Sequence, residues 1–167
     1  MRIKLRPLER EDLNWILRYR NIPGMYVNFN QPTPLSYEQQ EKWYENEVLT
    51  KKAFAFIIVL NNLSIGYIAL QNINWIVRSA EVSHFVLDDY SEKFPEFAHA
   101  IILDLAFNSL NLNRVHSTCF EFNPVYKLLA KFGFKVEGTV RECCYKKGKY
   151  FNGYLISVLK NEYKSLP

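Results

Sequence analysis

Asn123-Pro124-Val125-Tyr126-Lys127-Leu128-Leu129-Ala130-Lys131-Phe132-Gly133 carries the clearest local signal in the chain. An asparagine side chain can accept a hydrogen bond from an N–H in the first turn, and proline suits the first helical position because its missing N–H is not needed there. Val125, Leu128, Leu129 and Phe132 then form an apolar stripe at helical spacing, and Gly133 can take the left-handed conformation that ends a helix. On either side the pattern changes period. Arg114 to Phe122 and Phe134 to Thr139 read as strands, and Lys149 to Lys160 reads as another after the tight turn Lys146-Lys147-Gly148-Lys149.

Working back toward the N-terminus, Phe97, Ile101, Ile102, Leu105 and Ala106 recur with helical spacing between about Pro95 and Leu110. Ala80 to Leu87 alternates as a half-buried strand. Ala53 to Leu60 and Ile65 to Ile73, joined by Asn61-Asn62-Leu63-Ser64, read as a hairpin beside it. Ile3 to Leu8 reads as a strand feeding a helix through the acidic entry Glu9-Arg10-Glu11-Asp12. A second helix starts at Ser36, where Ser-Tyr-Glu-Gln offers a capping box, and turns Trp43 and Val48 inward. Three prolines, a glycine and several asparagines make Asn21 to Pro34 an irregular loop. The order is strand, two helices, three-stranded meander, helix, strand, helix and two strands. It predicts an α+β fold with one mixed, twisted sheet of about six to seven strands and about four helices.

The length of 167 residues suits one domain with one core, spanning residues 1–167. Its longest strongly apolar run, Ala53 to Leu60, is far shorter than the roughly 20 residues of a membrane span. No membrane segment is expected, and the location expected is cytoplasmic. Cys119, Cys143 and Cys144 show no zinc-ligand spacing and are expected to be free thiols, with no metal site. The net charge of +4 is spread among 17 acids without a basic run, which points away from nucleic acid and mildly favours small anionic ligands.

Four pieces of the chain resemble the GNAT superfamily of N-acetyltransferases, in the branch of the ribosomal-protein, spermidine and amino-sugar acetyltransferases. Ile3 to Leu13 is similar to its first strand and helix entry. Ile65-Gly66-Tyr67 and Ala80-Glu81-Val82 look like its central hairpin. Asn111-Leu112-Asn113-Arg114-Val115, Asn123-Pro124, Lys131-Phe132-Gly133-Phe134 and Glu137-Gly138-Thr139 follow its series in order. Gly148 to Asn152 with Leu159 to Tyr163 resembles its last strand and tail.

The resemblance implies the GNAT fold, acetyl-CoA as co-substrate, and direct acetyl transfer to a primary amine. In the family the strand matching Ala80 to Leu87 splays from the one matching Arg114 to Phe122, and the pantetheine arm lies in the gap. Backbone groups of Phe85, Val86 and Leu87 are therefore expected against the arm, with Asn123 near it. The family's glycine-rich pyrophosphate loop is missing, since no glycine occurs between Gly66 and Gly133. Lys93 is the one basic residue offered in its place, between Glu92 and Glu96. Glu81 is expected as the general base and Tyr126 as the acid for the departing thiolate, although the family's tyrosine position falls on Leu129.

The acceptor expected is a small-molecule or peptide amine: a nucleotide-linked amino sugar, a protein N-terminus or a polyamine. Tyr26, Phe29, Trp43 and Tyr44 are available to stack on it. Two other readings stay open at this point: a GNAT-fold binding or assembly protein without transfer activity, and an acyltransferase using another acyl-CoA. A homodimer formed through the C-terminal strands is a further expectation from the family.

Overall fold

A computed structural model describes residues 3–26, 28–29, 33–90 and 94–165. Lys93 and the rest of 91–93 lie outside them, as do the side chains of Tyr26, Asp88 and Phe94. Seven strands form one sheet: β1 (Ile3–Pro7), β2 (Phe54–Leu60), β3 (Leu63–Asn74), β4 (Ser79–Val86), β5 (Arg114–Phe120), β6 (Lys135–Lys146) and β7 (Lys149–Leu159), in the order β1-β2-β3-β4-β5-β7-β6. All neighbours are antiparallel except β4 and β5. The helices are α1 (Leu13–Arg20), α2 (Pro23–Tyr26), α3 (Tyr37–Trp43), α4 (Phe94–Asp104) and α5 (Val125–Ala130). Among the described residues no helix is long and apolar enough to cross a membrane.

Local chemistry explains most boundaries. Asn61 and Asn62 both take positive φ (47° and 72°), the twist a two-residue hairpin turn needs between β2 and β3. Ser36 Oγ accepts from Gln39 N–H at 3.2 Å while Gln39 Oε1 accepts from Ser36 N–H at 2.8 Å, a reciprocal cap on α3. Asn123 Oδ1 accepts from Val125 N–H at 3.1 Å and leads the chain into α5, whose N-cap falls one residue later than expected, on Pro124; the α-helix ends at Ala130, three residues before Gly133, which takes φ 95°. A side chain at Gly133 would also lie 2.4 Å from the Glu162 carbonyl oxygen, so glycine lets the C-terminal segment cross closely behind α5.

The sheet carries a core on each face. Ile68, Leu70, Val82 and Val115 pack with Ile102, Phe107, Leu129 and Phe132 under α4 and α5. On the other face Ile57, Ala69, Tyr67 and Phe85 pack with Leu13, Ile16 and Tyr44.

Two sequence expectations change. The buried stripe of α4 runs through Ala98, His99, Ile102 and Leu103 and continues to Ala106 in the helical turn that follows, leaving Phe97 and Ile101 exposed. Apolar residues surround most of this helix, so two stripes fit its spacing, and the polar His99 conceals the true one. Second, β6 continues seven residues beyond Thr139, because bulges at Val136/Gly138 and Val140/Cys144 interrupt the period-two pattern without ending the strand.

Candidate active site

The parallel pairing of β4 with β5 covers only Ser79–Arg114, Ala80–Val115 and Glu81–His116. Beyond those positions β4 runs on to Val86 and β5 to Phe120 without pairing to each other, so a wedge opens between them. Each strand remains anchored on its far side, β4 to β3 and β5 to β7. The two sheet halves therefore hold the wedge open.

Strand geometry decides which groups face it. Leu87 N–H donates to Ile65 O at 2.9 Å, and in the continuous β3–β4 register this makes Phe85, Ser83 and Glu81 the residues whose peptide groups bond β3. The alternate residues Val86, His84 and Val82 turn their N–H and C=O groups into the wedge. Of the three backbones expected at a pantetheine arm, Val86 thus offers its peptide groups, whereas those of Phe85 and Leu87 are directed to β3.

A cavity of about 780 Å³ occupies the wedge and reaches through to the α1–α3 side of the sheet. It brings together Glu81, Phe85, Val86 and Asn123; Leu87 and Tyr126 do not line it. The reason for Tyr126 is helical phase. Val125 and Leu129, one turn apart, face the cavity, and Tyr126 is rotated from them so that its ring packs edge-on against Tyr154 at 5.2 Å. Of the aromatics named for the acceptor, Phe29 and Trp43 line the cavity, whereas Tyr44 is buried beneath Arg10.

Glu81 sits at the last paired position before the wedge, and Asn72 Nδ2 donates to its Oε2 at 2.6 Å. One carboxylate oxygen is held by β3 while the residue still borders the cavity. His116, opposite it on β5, has its pKa lowered by burial, an effect Glu81 opposes. His84 lines the cavity and stacks edge-on against His99 at 4.5 Å, and burial drives both toward the neutral form, His99 to about 4. His99 Nδ1 also lies 2.7 Å from Pro95 O, tying the first turn of α4. Burial pushes the Cys119 thiol up to about 11, which suits an unreactive strand residue.

At the start of α4, Lys131 pairs with Glu96 at 3.1 Å. That contact offsets one of the two acids flanking Lys93. Arg20, Gln40 and His116 were not singled out in the sequence: β4–β5 register alone brings His116 opposite Glu81, and only the packing of α1 and α3 brings Arg20 and Gln40 to the cavity.

Residues 2–135 match the family model described as the acetyltransferase (GNAT) domain. The chain is 26% identical over 164 residues to the spermidine N(1)-acetyltransferase of Escherichia coli K12, covering 96% of this chain and 88% of that protein. It is 24% identical over 164 residues to an L-amino acid N-acetyltransferase of the same organism, covering 95% of this chain and 98% of that protein. A crystal structure of spermidine N-acetyltransferase from Vibrio cholerae in complex with CoA and spermine superposes with a TM-score of 0.89 at 26% identity, covering 96% of each chain. With a parted β4–β5 pair and a family match over most of its length, the chain belongs to the GNAT acetyltransferases, N-acetyltransferases that use acetyl-CoA as co-substrate.

Proposed function

We propose that this protein transfers the acetyl group of acetyl-CoA directly to a small primary amine, with the thioester held in the β4–β5 wedge and the amine arriving from the α1–α3 side. The parting of β4 from β5 after Glu81 and His116 carries this reading. Unpaired peptide groups of Val82, His84 and Val86 can hydrogen-bond an amide-bearing arm as a further strand would. Asn123 borders the same wedge and serves as a second polar contact.

The pyrophosphate end belongs at the N-terminus of α4, where free N–H groups and the helix dipole favour an anion. Pro95 removes one donor there, so Lys93 is assigned the compensating charge, with Lys131 holding Glu96 away from opposing it.

The incoming amine is an ammonium at neutral pH and must lose a proton before it can attack. Glu81 is assigned that proton, directly or through one water, because it is the one carboxylate among the described residues bordering the cavity. Nitrogen attacks the thioester carbon, the tetrahedral intermediate collapses, the C–S bond breaks, and the thiolate takes a proton. Tyr126 was the sequence candidate for that last step; from its place against Tyr154 it reaches the cavity only by a side-chain rotation, and water is the simpler donor.

The curated spermidine acetyltransferase relatives make a polyamine one acceptor to assay, and the amino-acid acetyltransferase makes an amino acid another. Residues 1–167 are taken as one catalytic domain. A cytoplasmic location is part of the proposal and rests on the three free thiols. Homodimerisation through β6, an edge strand exposed from Lys135 to Arg141, is also proposed, and light scattering would report twice the 19.8 kDa chain mass. Isothermal titration with acetyl-CoA and CoA tests the central reading. Saturable binding supports it, and no binding at millimolar ligand would leave a GNAT-fold binding protein instead.

A further inference from the structure

The acceptor half of the cavity has a charge pattern that no family match specifies. Loop 21–35, which connects α1 to α3 and contributes Met25, Asn28, Phe29 and Leu35 to the lining, contains no charged residue in its sequence. Asn21 clasps its ends, donating from Nδ2 to Leu35 O at 2.8 Å and accepting Leu35 N–H at 2.9 Å. From α3 the cavity receives Gln39, Gln40 and Trp43, not the acids of that helix. Among the described residues the lining holds one carboxylate, Glu81, and one guanidinium, Arg20.

These two charges lie apart. Arg20 stacks over the Phe29 ring at 4.9 Å and acts electrostatically on the buried Tyr67 hydroxyl. Glu81 pairs with Gln71, four residues farther along β3, a separation of roughly 13 Å at ordinary strand rise. Gln40, 2% exposed, adds an amide whose Oε1 has no partner among the described residues. A buried amide at a cavity wall without its hydrogen bond is a group that a ligand completes, and its two orientations offer either an oxygen or an –NH2.

We propose that the acceptor is an amine carrying an anionic group at its far end, the ammonium directed to Glu81 and the carboxylate or phosphate to Arg20, with Gln40 offering a hydrogen bond from the lining of the same cavity. This rests on the acetyltransferase reading above. A polyamine would bring its distal cation toward a guanidinium and an uncharged loop, which is electrostatically unfavourable in a partly dehydrated cavity. An anionic tail there gains charge-assisted hydrogen bonds.

Three acceptors of one chain length isolate the distal group: 6-aminohexanoate, hexylamine and 1,6-diaminohexane. Their kcat/KM values are measured with saturating acetyl-CoA on the wild-type protein. The amino acid is expected to exceed hexylamine by about tenfold and the diamine to fall below it, as expected for one hydrogen-bonded charge contact. In Arg20→Gln the ratio of 6-aminohexanoate to hexylamine is expected to fall toward one, and in Arg20→Lys to recover in part. Because each ratio is internal to one protein preparation, a partly unfolded variant still reports it. A preference for the diamine, or an unchanged ratio in Arg20→Gln, overturns the inference and leaves the transferase reading standing. Acetyl-CoA binding with no transfer to any of the three also overturns it. Absence of acetyl-CoA binding takes down both.

Discussion

Glu81 is the residue on which the proposed chemistry depends, and its setting is compatible with a base: one oxygen is fixed by Asn72 and the residue borders the cavity at the vertex of the wedge. Replacing it by glutamine is expected to lower kcat/KM by roughly 10²-fold, the lower range for removing a positioned general base, while acetyl-CoA affinity changes less than about twofold. The deficit should shrink as pH rises from 7 to 9.5, because more of the amine is then neutral without help. Turnover by Glu81→Gln equal to wild type across that range would reassign Glu81 to a structural tie with Asn72. Glu81 was legible in the sequence only through the family's hairpin pattern. Arg20 was hidden among the arginines of α1, and Gln40 looked like an ordinary helix-surface residue, because burial at a cavity is a property of packing between elements. Asn123 was legible by two routes, the local turn chemistry that leads into α5 and the family pattern.

At the level of elements, Gly66 sets how closely β3 approaches β4 at the mouth of the wedge. A Cβ there would lie 2.5 Å from Phe85 O and 3.1 Å from both Val86 Cα and Ile58 Cδ1. Gly66→Ala must push β4 aside, and a loss of about 1–3 kcal/mol in urea unfolding is expected, together with weaker acetyl-CoA binding because Val86 moves with the strand. Full stability and affinity in that variant would mean that β4 yields without consequence. The bulge at Val136/Gly138 has a comparable positioning role. It turns Glu137 toward Arg114 on β5 and Ser157 on β7, with both carboxylate oxygens 2.5 Å from the guanidinium and Ser157 Oγ at 2.7 Å. Hydrogen bonds from Arg114 and Ser157 hold the Glu137 carboxyl down to about 2. A depressed carboxylate contributes stability above its unfolded pKa and loses it as pH falls, here from about 4.3 toward 2. The melting temperature of Glu137→Gln should therefore lose less than that of wild type over this window, and parallel curves would contradict the account. Neither bulge was visible in the sequence, where an inserted residue reads as the end of a strand.

For the whole molecule, element order and the two-faced sheet followed from hydrophobic period, turn residues and helix caps, which are local. The wedge did not. It arises because β4 and β5 are each held from outside by different halves of the sheet, so only the resemblance to a known family could announce it. The same architecture brings His84 of β4 against His99 of α4, and desolvation drives both toward the neutral form. An unfolded chain binds their protons first, so stability should fall as pH drops from about 6.5 toward 4, with a melting-temperature loss on the order of 5 °C. His99→Phe should flatten that slope, and an unchanged slope would assign it elsewhere. The wedge itself is tested most directly by residue-resolved amide hydrogen exchange with and without saturating acetyl-CoA. Protection is expected to rise at Val82, His84 and Val86, whose N–H groups point into the gap, with little change at Ser83 and Phe85, already bonded to β3. No added protection at the first three, under conditions where acetyl-CoA is shown to be bound, would contradict a thioester arm lying along β4.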